Sequence, residues 1–348
     1  MKVCLFLEGG DLVAKSGFRT AFENHVAALR GAGIDVTDDP RNPHDLLHTH
    51  FFGPKSIYYV MRARKRGVPV VCHAHSMGAH DFRDSFTFSN LLAPMFEGYL
   101  RYYYNQADAV FTCSRFAKRT LGGLGVRVPI HVVSNASDSG GMRFDEEKRK
   151  IFREKLGLEK FTFFSAGHLI QRKGVIDFFK IAATLPQYDF AWYGKMWGKM
   201  LTQNIVVQRT LDNPPPNLHL PGFVSDIEGA YSAGDALFFP SYTENQPMVI
   251  LECAALGLPL VVRDIPEYEG FLTDGLNCLK AKSVEGFAQR LVAVAEDDVL
   301  RKKLRTGSRA LAEAHDLNSV GNHLRDLYTR LINRSTEHAA KGSSSKAV

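Results

Sequence analysis

Residues 236–262 read ALFFPSYTENQPMVILECAALGLPLVV, and the order of patterns in them decides the fold. Ala236–Phe239 is a short apolar run of the kind that forms a buried strand. Ser241–Gln246 is a polar loop. From Pro247 a helix runs to a stop near Gly257, and Leu258–Val262 is apolar and β-rich again. Strand, helix and strand in this order make a crossover between parallel strands.

The same alternation extends to both sides. Phe161–Ala166 and Asp189–Tyr193 read as earlier strands, Pro214–Pro216 marks a rigid loop, and helices alternate with strands up to about residue 313. Upstream, Lys2–Leu7, Asp45–His48, Pro69–Cys72, Ala109–Thr112 and Ile130–Val133 are β-rich runs separated by helical segments. In the first such helix Phe22, Val26 and Leu29 share one face, and Gly31 and Gly33 end it. Ser137–Gly141 has turn chemistry and little to bury, which suits a linker. The predicted organisation is α/β: one doubly wound, Rossmann-like domain over 1–135, a second over 136–313, a C-terminal helix over 314–334 and a polar, disordered tail over 335–348. Two such domains place a ligand cleft at the carboxyl ends of their strands.

Composition excludes several classes. Of 348 residues 45% are hydrophobic and 23% charged, a globular balance. No apolar stretch approaches the roughly 18–20 residues of a membrane span, and no signal-peptide core precedes a cleavage site, so a cytoplasmic location is expected. The cysteines Cys4, Cys72, Cys113, Cys253 and Cys278 lack paired spacing and read as small buried hydrophobes. The net charge of +6 is uneven: residues 51–135 hold eleven Lys/Arg against four Asp/Glu, an excess of +7. Such a half can face nucleic acid, an anionic membrane or a phosphorylated substrate. No nucleic-acid recognition motif accompanies it, so nucleic acid is not the expected partner. Neither a dinucleotide-binding G-x-G-x-x-G after the first strand, nor a P-loop, nor a G-x-S-x-G elbow, nor a D-x-D occurs.

Three segments carry candidate chemistry. In Ser241–Glu252, Glu244 falls in the loop before a helix and Glu252 about two turns along it. A helix start also offers backbone N–H groups to phosphate or sugar oxygens. Read alone, the pair would be one solvated acid and one dipole partner. Ser165–Gly174 ends a strand with Arg172 and Lys173 just before a helix, where cations are disfavoured unless an anion meets them. Pro69–His75 ends another strand with His73 and His75, at the edge where open sheets bind ligands.

Together these segments resemble the family 4 retaining glycosyltransferases of GT-B fold, whose E-x7-E holds a nucleotide-sugar donor. The resemblance implies that Glu244 contacts the transferred sugar and Glu252 the ribose hydroxyls. Lys173, with Arg172, would meet the diphosphate; His168 stands where the family carries arginine. Asn245, Gln246 and Met248 fall in the donor loop and helix start, and His75 takes the place of the family histidine. Glu244, His75 and Lys173 are therefore the catalytic candidates. No metal and no cofactor is implied beyond the co-substrate, for which UDP-glucose is preferred.

A narrower resemblance, over nearly all of residues 1–290, is to bacterial diacylglycerol α-glucosyltransferases. It rests on His73–Asn90 (HAHSMGAHDFRDSFTFSN), Ala107–Val110, Val133–Asn135, Arg172–Gly174, Ala230–Asp235, Phe239–Tyr242 and Val262–Pro266. Ala136-Ser137-Asp138 replaces their Gly-Ile-Asp, and Asn245-Gln246-Pro247 their Thr-Glu-Gly. The implied acceptor is a lipid at an anionic membrane surface, 1,2-diacylglycerol first, on the inner face of the cell membrane. Lys55–Arg66 and Tyr99–Tyr104 supply basic, aromatic-bearing segments for that surface, and Phe82, Phe86 and Phe88 could guide an acyl chain or merely pack their loop. The alternatives are a transferase of the same fold acting on a polyprenyl-linked or capsular glycan or an inositol lipid, and a non-catalytic nucleotide-sugar-binding protein of the membrane surface.

Overall fold

The computed structural model describes residues 1–9, 17–78, 82, 89–196 and 205–344, and two compact units divide them. Phe86, Phe88 and the last four residues of the expected tail lie outside the described residues.

The first unit comprises Met1–Ala79, Ala93–Ala136 and His315–Val348 within the described ranges. Its sheet holds β1 (Lys2–Phe6), β2 (Asp35–Thr37), β3 (Leu46–Thr49), β4 (Val70–His73), β5 (Ala109–Thr112) and β6 (Ile130–Val132) in the order β2-β1-β3-β4-β5-β6, every pair parallel. Strands β3, β4 and β5 are buried along their whole length, as a sheet covered on both faces requires. One face packs with α1 (Gly17–Gly31) and α12 (Leu317–Ser344), joining Val3, Leu5, Phe22 and Leu29 to Val320, Leu324, Leu327 and Tyr328. The other packs with α2 (Pro54–Lys65) and α3 (Ser89–Tyr104) through Val60, Ala63, Leu100, Tyr103 and Tyr104. Helix α4 (Arg115–Leu124) is capped by Ser114, whose hydroxyl accepts from the Ala117 amide, and ends at Gly125 in the left-handed region.

Helix α12 extends past the point where the sequence predicts a disordered tail: its helical path continues to Ser344, and the Ser335 hydroxyl donates to the Gly67 carbonyl at 3.2 Å. Scarcity of apolar residues suggested disorder there, whereas the helix needs only one packed face over its first part to propagate.

The second unit comprises Ser137–Ala314 with the described residues of 80–92. Its strands are β7 (Thr162–Ala166), β8 (Asp189–Tyr193), β9 (Leu218–Gly222), β10 (Ala236–Phe239), β11 (Leu260–Arg263) and β12 (Leu279–Ala281), all parallel, in the order β12-β11-β10-β7-β8-β9. The helices are α5 (Glu146–Leu156), α6 (Val175–Thr184), α7 (Ile205–Asp212), α8 (Ile227–Ser232), α9 (Met248–Ala255), α10 (Val284–Glu296) and α11 (Asp298–Ala314). Phe163, Phe178, Phe190, Trp192, Phe238 and Phe287 fill the core on one side of this sheet. The chain moves outward from β7 to β9, returns, and moves the other way from β10 to β12. The order therefore reverses between β7 and β10, and that switch point is where an open α/β sheet receives a ligand.

All five cysteines are buried and free, and burial pushes the Cys4, Cys113 and Cys278 thiols up to about 12. They behave as apolar side chains. Among the described residues no helix is long and apolar enough to cross a membrane.

Candidate active site

The loops leaving β7 and β10 meet at the switch point of the second unit. After β7 the chain passes Gly167 and His168, makes a single tight turn over Gln171–Lys173, and enters α6 through Gly174 at φ 75°. A Cβ at position 174 would lie 2.3 Å from the Pro240 carbonyl oxygen, so only glycine lets this turn approach the end of β10. The Tyr242 amide donates to the Arg172 carbonyl at 2.9 Å and pins the two loops backbone to backbone.

That contact brings Lys173 to Glu244. The Lys173 Nζ donates to Glu244 Oε1 at 2.5 Å, and the Ser241 hydroxyl donates to the same oxygen at 2.6 Å. Both partners are largely buried, with side chains 16% and 8% exposed. Burial alone would raise the Glu244 carboxyl, but the charges of Lys173 and Arg172 and the bonds from Lys173 and Ser241 outweigh it, and the group is held below the usual range. Burial lowers Lys173, with Glu244 opposing. The Lys173 ammonium also stands 5.2 Å from the Phe239 ring centroid.

Arg172, expected on the diphosphate, donates from Nη1 to the Thr243 carbonyl at 2.6 Å and so shapes the loop that carries Glu244. Its Nε is buried without a hydrogen-bond partner. His168, at the place of the family arginine, is lowered by burial and is neutral at neutral pH. Gln246 and Met248 are buried and Asn245 is half-buried, at the loop end and first turn of α9.

Glu252 lies inside α9, as the spacing predicts. It is buried, its Oε2 accepts from the Tyr231 hydroxyl at 3.2 Å, and burial pushes its pKa up to about 7. The two glutamates thus have opposite settings: Glu244 is kept ionised by cations, and Glu252 stands at the edge of protonation. Hydrogen bonds unite Arg172, Lys173, Ser241 and Glu244, while the Glu252 carboxylate accepts from Tyr231.

Residues the sequence reading did not single out brace this loop. Arg263, ending β11, forms an ion pair with Asp177 of α6, donates from Nε to the Pro240 carbonyl at 2.9 Å and stacks 3.8 Å over the Tyr242 ring. The Tyr242 hydroxyl donates to Asp177 at 2.6 Å. A signal was present: Asp177 sits in the apolar VIDFFKIAAT helix and Arg263 ends the apolar LVVR strand, and charges in such runs need partners.

His75 belongs to the first unit, just past β4, where it is half-buried. Its Nε2 lies 3.2 Å from His50 Nδ1, and burial lowers its pKa to about 3. It is one of five clustered imidazoles with His25, His48, His50 and His73, of which only His73 and His75 were legible as candidates.

Comparison with known proteins shows the family and the fold. Residues 40–139 match the model described as Glycosyltransferase Family 4, and residues 146–311 the one described as Glycosyl transferases group 1. The chain is 32% identical over 337 residues to the processive diacylglycerol alpha-glucosyltransferase of Acholeplasma laidlawii, covering 95% of this chain and 99% of that one. It is 28% identical over 324 residues to the alpha-galactosylglucosyldiacylglycerol synthase of Streptococcus pneumoniae, covering 89% and 85%. In fold it resembles Anabaena Alr3699/HepE, solved in complex with UDP and glucose, with a TM-score of 0.77, 17% identity and coverage of 94% and 99%. Sucrose-phosphate synthase of Thermosynechococcus elongatus gives 0.81, with 15% identity and coverage of 96% and 100%. With its two parallel six-stranded sheets, its paired loops at the β7–β10 switch point and a relative that spans nearly its whole length, the chain belongs to glycosyltransferase family 4 and has the GT-B fold.

Proposed function

We propose that this glycosyltransferase moves glucose from UDP-glucose to the free hydroxyl of 1,2-diacylglycerol, with retention of the α configuration, at an anionic membrane surface. The observation that carries the donor half is the buried Lys173–Glu244 pair at the carboxyl ends of β7 and β10. A donor diphosphate brings a second anion to Lys173, and the ionised Glu244 is then available to the sugar. Arg172 and the N-terminus of α9 add positive potential, and Glu252 with Gln246 and Met248 faces the nucleoside. Asn245 stands at the sugar.

In the transfer, the bond from the anomeric carbon to the diphosphate oxygen breaks while the acceptor oxygen bonds the same face. The acceptor proton passes to the leaving phosphate oxygen. The protein stabilises charge on the phosphates and on the cationic sugar, which is electrostatic and positional work. Glu244 suits the sugar because its environment keeps it ionised. The family resemblance makes His75, which burial in the first unit keeps neutral, a further catalytic candidate.

The acceptor half rests on the Acholeplasma relative and on the first unit's surface. Helix α2 exposes Lys55, Tyr58, Arg64 and Lys65, and α3 exposes Met95, Arg101 and Tyr102. These suit a peripheral position in the headgroup region of a cytoplasmic leaflet. Incubating the protein with UDP-glucose and diacylglycerol in anionic mixed micelles, then reading the anomeric proton coupling by NMR, tests the proposal. An α-linked glucolipid is expected. A β-linked product would remove the retaining mechanism, and transfer only to a polyprenyl-linked or water-soluble glycan would remove the acceptor.

A further inference from the structure

The imidazole cluster of the first unit has no assigned use beyond His75. His48 lies in β3 and His50 just past it, His73 ends β4 and His75 lies two residues beyond, and His25 comes from α1. Alternation along each strand puts each pair on one side of the sheet, and neighbouring parallel strands bring the pairs together. His25, His50 and His73 are buried, and each offers one ring nitrogen within 4.8 Å of the others.

We propose that His25, His50 and His73 bind a divalent transition-metal ion, with zinc the first choice. The hydrogen bonding of the three rings is what a ligand set needs. His25 Nε2 donates to the Ser134 carbonyl at 2.7 Å, which leaves Nδ1 as a lone pair, and that buried atom has no partner. His50 Nδ1 faces His75 Nε2 at 3.2 Å, and its Nε2 is buried without a partner. His73 has no partner at either nitrogen. In metal sites the nitrogen opposite the metal is held by a carbonyl or another group that fixes the tautomer, and Ser134 and His75 fill that role here.

Distances are within reach of coordination. An ion centred among three atoms 4.8 Å apart lies about 2.8 Å from each, against about 2.0–2.1 Å for zinc to imidazole, so shifts of less than about 1 Å close the site. His73 has no hydrogen bond to lose in such a shift. Three imidazoles without a carboxylate suit zinc, cobalt, nickel or copper rather than magnesium or calcium. A water or hydroxide completes four-coordination. The ion takes no part in the transfer proposed above; it would tie α1 to the exits of β3 and β4.

The test uses the full chain without a histidine tag, stripped with chelator, desalted and titrated with Co2+ as a spectroscopic probe. Expected are tetrahedral cobalt absorption saturating at about one equivalent, its displacement by Zn2+, and a higher thermal midpoint with either ion. His25→Gln and His73→Gln should each weaken binding by at least about 100-fold, His75→Ala by about 10–100-fold, and the exposed His323→Gln should leave it unchanged. A wild-type chain that holds less than about a tenth of an equivalent at micromolar cobalt overturns the site, whatever the variants do. Undiminished binding in folded His73→Gln overturns it equally.

Discussion

At the residue scale the donor loop turns on a buried ion pair that is costly to break and cheap to replace. Lys173→Met leaves Glu244 charged beside Ser241 with its main counter-ion gone, and should lower stability by about 3 kcal/mol. The double variant Lys173→Met/Glu244→Leu should recover most of that loss and remain inactive, as urea midpoints and released UDP would record. Glu252 gives a pH signature. Its carboxyl titrates at about 7 in the folded chain against about 4.3 unfolded, so the folded state binds the proton more tightly and stability falls as pH rises between those values. Glu252→Gln keeps an acceptor for Tyr231 and removes this loss. It should match the parent near pH 4 and exceed it by about 3–4 kcal/mol above pH 8, in denaturant midpoints measured across that range. Sequence spacing located Glu244 and Glu252, but not their different electrostatics, because Tyr231, Ser241 and Lys173 reach them from other segments. Ala136 shows the converse. It stands where the resembling enzymes have glycine, and it is the one described non-glycine residue with positive φ, at 62°. The comparison of letters marked the position, and only the backbone gives the reason.

At the element scale, what the sequence hid was mostly at sheet edges. Strands β2, β9 and β12 escaped the reading, and each is the outermost strand on one side of its sheet. An edge strand can be short and half-exposed, so Asp35–Thr37 and Leu218–Gly222 carry no apolar run to betray them. The interior strands β5, β8 and β10 were read to the residue because burial on both faces demands continuous apolar sequence. Arg263 extends β11 beyond the expected end at Val262, since Asp177 neutralises a charge that would otherwise stop a buried strand. Helix α2 carries the prediction at this scale. Val60 and Ala63 face the core, while Lys55, Arg64, Lys65 and the following Arg66 face outward. Replacing Arg62, Arg64, Lys65 and Arg66 by Ser should weaken binding to anionic liposomes by roughly 1 kcal/mol per charge. Donor hydrolysis in solution should be unchanged, and sedimentation at rising salt is the measurement.

At the scale of the whole molecule the two sheets share an architecture but not a route through the chain. The second unit is nearly contiguous, from Ser137 to Ala314, whereas the first is completed by His315–Val348. Helix α12 supplies Val320, Leu324, Leu327 and Tyr328 to the core that begins with Val3 and Leu5, and Gly321 lies so close to α1 that a Cβ there would be 2.2 Å from the Ala28 carbonyl oxygen. Leu324→Ala, at a fully buried position, should cost about 2–5 kcal/mol, and removal of residues 315–348 should expose the apolar face of α1 and β1 to a hydrophobic dye. Synthesis on the ribosome runs from the amino to the carboxyl end, so the strands of the first sheet emerge before those of the second. The earliest strands therefore wait, one face unclosed, while the later sheet is made and can fold ahead of them, and the birth order of the two sheets is the reverse of the order in which they can be finished.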